Sequence, residues 1–196
     1  MKTAFVRSAA LAAAMALAAC SAGGAGGKRV ASSGGAVEVA RFHLGAEPMA
    51  HAQIAIMPFD KEDAARPGYP GQVAAVSREL TRLGWTVVPT TSQSEQIALI
   101  DFEQGNREAI MALTAARIGR GVAPGPQTGP SSGRTATLLE VAIRRRSDGT
   151  VFWEGRAVTE APTGSAQAAP AAAVDRLATA LFRDFPGESG RSIRVK

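Results

Sequence analysis

The sequence predicts an α/β fold of the α+β type, a single two-layer sandwich built from 196 residues. Its mostly antiparallel or mixed sheet would have about 5–7 strands, with two amphipathic helices packed on one face. Three observations support this prediction. A long hairpin pattern alternates apolar and polar residues on both sides of Ser147-Asp148-Gly149. Short apolar runs are typical of buried strands, and two segments carry apolar stripes at helical spacing.

The first half of the chain contains strand patterns and one clear helix pattern. Four short apolar runs predict strands, at residues 37–44, 53–59, 85–89 and 97–103. The second run is nearly continuous in apolar residues, which favours a central strand buried on both faces. Between the second and third runs, apolar residues recur at helical spacing after Pro70, and the pattern ends at Gly84. A helix is therefore expected over about residues 70–83.

The second half begins with an ambiguous segment. Residues 106–117 place Ile110 and Leu113 at helical spacing, but the segment could also be extended. The elements after it are clearer: hairpin strands over 135–146 and 150–159, a helix over 170–185, and a short edge strand at Ile193 and Val195. Gly149 can adopt the positive φ that the hairpin turn requires.

The first twenty residues have the pattern of a secretory signal peptide. Lys2 and Arg7 form a positive segment, and residues 9–19 are uncharged and rich in Ala and Leu. This run is too short to cross a bilayer as a permanent helix. It ends in Leu17-Ala18-Ala19-Cys20, which resembles the lipobox of bacterial lipoproteins.

That resemblance implies that the Cys20 thiol receives a diacylglycerol and that the chain is cut between Ala19 and Cys20. Two or three acyl chains on one residue anchor a protein stably in a membrane. Ser21 in place of Asp implies sorting to the outer membrane, with the domain facing the periplasm. The alternative is an ordinary secretory signal followed by a chance cysteine.

Two Gly-rich stretches organise the remaining chain. Residues 20–36 begin at the acylated cysteine and predict a flexible tether. Residues 119–133 are rich in Gly and Pro and predict a mobile, exposed loop inside the domain. Residues 37–196 are then expected to form one lipoprotein domain.

Composition excludes several classes of protein and site. A single Cys excludes a disulfide framework, and one Cys with two His excludes zinc sites of the CxxC or HExxH kind. No Walker loop or GxGxxG motif appears, so no cofactor is expected. The net charge of +5 falls when Lys2 and Arg7 leave with the signal peptide. Together with an envelope address, this argues against a nucleic-acid partner.

Two late motifs add a family resemblance to this order of elements. The hairpin ends its second arm in Trp153-Glu154-Gly155, and the last helix stops at Phe185-Pro186-Gly187. In this order behind a lipobox, they resemble the bacterial envelope lipoproteins grouped as domain of unknown function 4136. The resemblance covers about residues 37–195 and implies an α/β sandwich on a lipid anchor. It implies no established activity, and in it residues 106–117 would be extended.

Few residues are candidates for chemistry. Asp101 and Glu103 share one strand face and could act as acid and base, but a solvated face of an edge strand is the preferred interpretation. His43 and His51 flank a bend and lack a third metal ligand, so surface or hydrogen-bonded roles are preferred. Trp153 could stack on a ligand, but its alternation with Val151 favours the core.

The hairpin tip carries the strongest local charge. Arg144, Arg145 and Arg146 could contact an acidic partner or lipid phosphates. The alternative is a tip that only confers solubility.

Three functions compete at this stage. The preferred one is a non-catalytic envelope module that binds a protein partner through the arginine tip and the loop at 119–133. A second is a carrier or sensor of a small amphiphile or lipid, with an apolar cleft lined by Ile54, Ile56, Trp153 and Leu177. The least favoured is a hydrolase in which Asp101 and Glu103 converge with a histidine.

Overall fold

The computed structural model describes residues 35–44, 52–118 and 133–196. Their strands, numbered along the chain, are β1 (Val37–His43), β2 (Gln53–Pro58), β3 (Thr86–Val88), β4 (Gln96–Gly105), β5 (Arg134–Arg145), β6 (Val151–Pro162) and β7 (Ser192–Val195). The α-helices are α1 (Tyr69–Arg82), α2 (Arg107–Ile118) and α3 (Pro170–Leu181). Short 3₁₀ segments lie at Lys61–Ala65 and Ala166–Ala168.

All of these strands belong to one mixed sheet, in the order β3-β2-β4-β5-β6-β1-β7. β2 is parallel to β3 and β4, and the other pairings are antiparallel. The predicted hairpin is β5–β6, which pairs Leu139 with Ala157 and Val141 with Gly155 and has a bulge after Ile143. The predicted fold class, an α+β domain with a mixed sheet, is confirmed.

The helices cover both faces of the sheet. Side chains alternate along a strand, so Leu139 and Val141 face one side, where they pack in a core with residues of α1 and α3. Leu138 points to the opposite face and packs with Ile110 of α2. Two amphipathic helices on one face are therefore confirmed. The ambiguous segment at 106–117 is helical and covers part of the second face.

A cluster of four aromatic side chains closes the main core beside α3. The Trp153 ring stacks on Phe182 at 5.3 Å between centroids and lies 5.2 Å from Phe185. Trp85 meets Phe185 edge to face at 5.3 Å. Trp153 is fully buried, so the core interpretation of this residue is confirmed.

The two motifs that carry the family resemblance meet in this cluster. The Trp153 indole N–H donates to the Pro186 carbonyl at 3.0 Å. A Cβ on Gly155 would overlap the Trp153 ring and lie 2.8 Å from Leu181 Cδ1, so only glycine fits beneath this ring. Both motifs therefore have a packing role.

The last helix ends earlier than its apolar stripe predicts. α3 stops at Leu181, whereas the stripe continues to Phe185. The buried guanidinium of Arg41 donates hydrogen bonds to the backbone carbonyls of Ala180, Leu181 and Arg183. Asp184 then adopts a positive φ of 54°. Arg41 is distant from α3 in the sequence, so the local pattern does not reveal it. Its side chain binds carbonyls that a longer helix would use for its own hydrogen bonds.

Burial lowers the pKa of Arg41, and the nearby Asp184 carboxylate opposes that shift. The guanidinium also lies at the negative end of the α3 dipole, which favours a cation there.

Within the described ranges, no helix combines the length and apolar character needed to cross a bilayer.

Candidate functional site

Several predicted sites fall outside the described residues. These are the proposed cleavage and acylation residues Ala19 and Cys20, His51, and residues 119–132 of the Gly/Pro-rich loop. They stay predictions from the sequence. The other candidates can be placed.

Arg146 of the hairpin tip is held by the neighbouring loop. Its Nε donates to the Ser94 carbonyl and its Nη2 to Ser94 Oγ, both at 2.8 Å. The Arg146 amide donates to the Glu95 carbonyl at 2.9 Å. Arg146 therefore connects the hairpin tip to the start of β4. Its guanidinium is engaged in these contacts and is less available to bind a partner protein.

Arg145 is engaged within the turn itself. Its Nη1 donates to Asp148 Oδ2 at 2.7 Å, and its guanidinium lies 5.0 Å from the centre of the Phe152 ring. The Thr150 amide and then the Arg145 guanidinium hold the pKa of Asp148 below its usual value. These contacts order the Ser147-Asp148-Gly149 turn.

Arg144 differs from its two neighbours. Its side chain is half-buried, and within the described part of the chain it has no hydrogen bond or ion pair. In the β5–β6 register it lies opposite Val151. Of the three predicted contact residues, Arg144 is therefore the one most available to a partner.

Exposed apolar side chains lie at the same end of the sheet. Among the described residues, the large apolar side chains that stand out as exposed are Leu44 at 78% and Val151 at 40%. The Leu44 amide donates to the Phe152 carbonyl at 3.1 Å, which places β1's end beside the start of β6. We call Leu44, Arg144, Arg145 and Val151 the tip patch. It combines positive charge with apolar area, a mixture typical of protein-binding surfaces.

The paired carboxylates lie in a different environment from the one predicted. The preferred interpretation of Asp101 and Glu103, a solvated face of an edge strand, is wrong because β4 lies inside the sheet between β2 and β5. Asp101 is only 1% exposed. The long β5 strand covers the edge of β4, and local alternation alone could not reveal that pairing.

Asp101 begins a row of charged side chains across the second face of the sheet. In the strand register, Asp101 lies opposite Glu140, and Glu140 lies opposite Arg156. Arg156 Nη2 donates to Glu140 Oε1 at 3.3 Å and to Glu154 Oε1 at 2.5 Å. Glu140 and Arg156 are both buried. A buried charge network of this kind is costly to break, because removing one member leaves its partner charged and buried.

The acid–base arrangement required by the hydrolase hypothesis does not form with His43. Glu103 pairs with Arg66 at 3.2 Å on the face that carries Asp101. His43 lies on the opposite face, in register with Trp153, with its Nε2 3.1 Å from the Gly187 carbonyl oxygen. The hydrogen-bonded role expected for His43 is confirmed. The described ranges contain no group of three or more His, Cys, Asp or Glu side chains placed to hold a metal ion.

The apolar lining predicted for a carrier is part of the core. Four side chains were expected around a cleft, and all are at most 3% exposed and belong to one packed cluster: Ile54, Ile56, Trp153 and Leu177. The carrier hypothesis therefore lacks the lining on which it was based.

A polar cleft of about 220 Å³ lies at the other end of the sheet from the tip patch. The start of the described chain, Gly35 and Ala36, forms one side. Three arginines and two glutamates supply its charge: Arg107, Arg134, Arg194, Glu38 and Glu160. We call these five side chains the arginine cleft.

Ion pairs orient the guanidinium groups of the arginine cleft. Glu160 accepts from Arg107 and, at 3.3 Å, from Arg134 Nε. Glu38 accepts from Arg194 Nη2 at 2.9 Å and lies 3.9 Å from Arg107 Nη2. The cleft keeps one positive charge in excess, and α2 begins at Arg107, which adds the positive end of a helix dipole.

Sequence reasoning missed the arginine cleft. Arg107, Arg134 and Arg194 lie far apart along the chain, each near an element boundary. The antiparallel pairing of β5 with β6 and of β1 with β6 and β7 brings those boundaries to one end of the sheet. Without the strand order, three isolated arginines give no detectable signal.

Comparison with known proteins finds a relative that is itself uncharacterized. No protein-family model matches the sequence. It is similar to an uncharacterized protein of Zymomonas mobilis, with 29% identity over 214 aligned positions covering 82% of this chain and 80% of that protein.

Similar solved structures are distant. One is a PelC dodecamer from Paraburkholderia phytofirmans, with 11% identity, a TM-score of 0.41, and coverage of 74% of this chain and 91% of that one. Another is a protein from Caulobacter crescentus provisionally described as a lipoprotein, with 14% identity, a TM-score of 0.30, and coverage of 66% and 82%. Likenesses this weak establish no shared function.

Proposed function

We propose that this protein is a non-catalytic, lipid-anchored envelope lipoprotein whose domain binds a protein partner through the tip patch. One observation carries the proposal: the N-terminal start of the domain and the tip patch lie at opposite ends of the sheet. Gly35 lies beside the end of β6, and Thr159 Oγ1 donates to its carbonyl at 3.3 Å. The tip patch lies at the start of β6, about 30 Å away at the usual rise per residue of a strand.

The lipobox-like segment ending in Cys20 supports the anchor. Diacylglycerol on Cys20 and cleavage after Ala19 would hold the chain to a membrane by several acyl chains. Ser21 favours the outer membrane, with the domain in the periplasm. Likeness to the domain of unknown function 4136 lipoproteins belongs to the same proposal, and the contact between their two motifs at Trp153 and Pro186 is consistent with it.

The chemistry of the tip patch defines the partner. Arg144 offers a guanidinium, which binds carboxylates in a forked geometry. Leu44 and Val151 offer apolar area beside it. The partner we propose is an envelope protein with carboxylates next to an apolar surface.

A site-specific photocrosslinking experiment tests this partner. A photoreactive phenylalanine analogue replaces Val151 in the full-length lipoprotein, which is irradiated in cells of its own host and then purified. We expect a recurrent protein adduct that is lost when Arg144→Glu is added. The same analogue at Arg191, an exposed residue on the loop before β7, is the matched probe and should not give this adduct.

The control for charge reversal is Arg191→Glu. Arg191 is 67% exposed in its side chain and pairs only with Glu188 among the described residues. This variant should keep the Val151 adduct at the wild-type level. An adduct that survives Arg144→Glu, or that both reversals weaken equally, refutes the tip patch as the binding surface.

The anchor is tested separately by the intact mass of the purified protein. We expect the chain to begin at Cys20 and to carry the added mass of a diacylglycerol, with or without a further acyl chain. Cys20→Ala should abolish that added mass and release the protein from membranes. A chain that begins elsewhere without lipid would identify an ordinary secreted protein.

A further inference from the structure

We propose that the arginine cleft binds the phosphate of an anionic lipid headgroup, next to the membrane in which Cys20 is anchored. This inference rests on the proposed lipid anchor. It adds a second, non-covalent contact between the folded domain and the bilayer, at the end of the sheet opposite the tip patch.

The donor groups of the cleft fit a phosphate. A guanidinium group carries about five N–H donors, and Glu160 and Glu38 engage only part of those on Arg134 and Arg194. The side chains of Arg134 and Arg194 are 40% and 75% exposed, so donors on both can reach an oxygen entering from solvent. Arginine is the residue that best matches the planar pairs of oxygens on a phosphate.

The carboxylates orient the cleft without neutralising it. Glu160 holds Arg107 and Arg134 on one side, while Glu38 holds Arg194 on the other. Guanidinium groups that are already oriented lose little conformational entropy when an anion binds, because the ion pairs have restricted their side chains beforehand. The excess positive charge and the start of α2 favour an anion over a neutral ligand.

The position of the cleft identifies the source of the phosphate. Gly35 and Ala36 form part of its wall, and Gly35 follows Cys20 by only 15 positions. A chain of that length spans at most about 50 Å, and a Gly-rich one about 20 Å on average. If Cys20 is acylated, lipid phosphates are the anions at highest concentration within this range.

The volume agrees with a headgroup phosphate rather than a whole lipid. A cleft of about 220 Å³ is smaller than a usual pocket for a drug-sized ligand. Its lining is polar, so acyl chains would remain in the bilayer. The expected contact is therefore a weak one, which surface charge and salt would modulate.

Binding can be measured with the purified lipidated protein in a neutral detergent. Dihexanoylphosphatidylglycerol is the anionic probe, dihexanoylphosphatidylcholine has the same acyl chains with a zwitterionic headgroup, and inorganic phosphate lacks the lipid. We expect saturable binding of the phosphatidylglycerol, at least 10-fold weaker binding of the phosphatidylcholine, and weakening of the first by added salt.

A matched pair of variants shows where binding occurs. Arg134→Gln with Arg194→Gln should weaken phosphatidylglycerol binding at least 10-fold. Arg78→Gln with Arg191→Gln removes the same charge from exposed positions elsewhere and should leave it unchanged. Circular dichroism and thermal unfolding check that each variant is folded.

Three results would overturn the proposal. Equal losses in the two double variants would mean a general charge effect. Equal affinity for phosphatidylglycerol and phosphatidylcholine would mean that the headgroup charge is not recognised. Inorganic phosphate binding as tightly as the phosphatidylglycerol would assign the cleft to a soluble anion. The intact mass at Cys20, measured on the same preparation, separates these failures from failure of the anchor itself.

Discussion

Arg41 Nε donates a hydrogen bond of 2.9 Å to the Leu181 carbonyl and so joins β1 to the C-terminal end of α3. The same guanidinium donates to the Arg183 carbonyl at 2.7 Å. Gly187 has a positive φ of 79°, and a Cβ there would lie 2.5 Å from Arg41 Nη1. One buried arginine therefore explains both the end of the helix and the glycine of Phe185-Pro186-Gly187.

Replacing Arg41 by Met should destabilise the domain by about 3 kcal/mol or more, because several carbonyls lose a charged donor in a buried place. Arg41→Lys keeps the positive charge but lacks the forked set of N–H donors that binds several carbonyls. It should therefore cause a large part of the same destabilisation. Urea unfolding followed by circular dichroism measures both. Arg191→Met at an exposed site should change stability by no more than about 0.5 kcal/mol. A wild-type midpoint for Arg41→Met would show that water or other donors serve these carbonyls equally well.

A substitution at Gly155 should be far more damaging than one at Gly71. A Cβ on Gly155 meets Trp153 and Leu181 in the core, so Gly155→Ala should cost about 1–3 kcal/mol through overpacking. Gly71 lies in α1, and a Cβ there meets nothing within 4 Å. Gly71→Ala should therefore leave stability unchanged or raise it by up to about 1 kcal/mol. Thermal unfolding of the two variants side by side decides the matter, and equal midpoints would contradict the packing role of Gly155.

The sequence predicted the elements of this fold well because most of them are encoded locally. The hairpin β5–β6, the helix stripes of α1 and α3, and the short β7 are all visible as periodic patterns. Three features depend on contacts between distant segments and were missed: the end of α3 under Arg41, the burial of Asp101, and the arginine cleft. Each depends on which distant elements lie together in the fold, and local periodicity does not contain that information.

The candidate site was predicted in part for the same reason. Three consecutive arginines at a turn are a visible signal, and they do lie at the hairpin tip. Their different environments are not visible, because Ser94 is 52 positions from Arg146 along the chain. The sequence likewise could not show that Leu44 lies beside the start of β6 and adds apolar area to the tip patch.

The buried charged row should behave as one network. Arg156→Met leaves Glu140 and Glu154 without this cation and should cost about 3–5 kcal/mol. Adding Glu140→Gln removes one of the buried charges left behind and should recover part of that loss. A double-mutant cycle measured by urea unfolding gives the coupling. If the effects of the two substitutions simply add, Arg156 and Glu140 do not act together in the folded protein.

Asp148 should make the hairpin turn sensitive to acid. Its pKa is held below the usual value by the Thr150 amide first and by Arg145 second. A carboxyl group with a lowered folded-state pKa contributes stability above its unfolded-state pKa, and that contribution is lost as the pH falls through the folded-state value. We therefore expect the turn to be intact at neutral pH. It should loosen only when the pH falls below the usual pKa of an Asp side chain, which is about 4.

Carboxyl carbon chemical shifts followed by NMR report the titration of Asp148, and the amide shift of Thr150 reports the hydrogen bond between them. In Arg145→Gln the titration should move toward the usual Asp value while remaining below it, since the Thr150 bond persists. A titration at the usual value in the wild-type protein would show that neither contact stabilises the carboxylate.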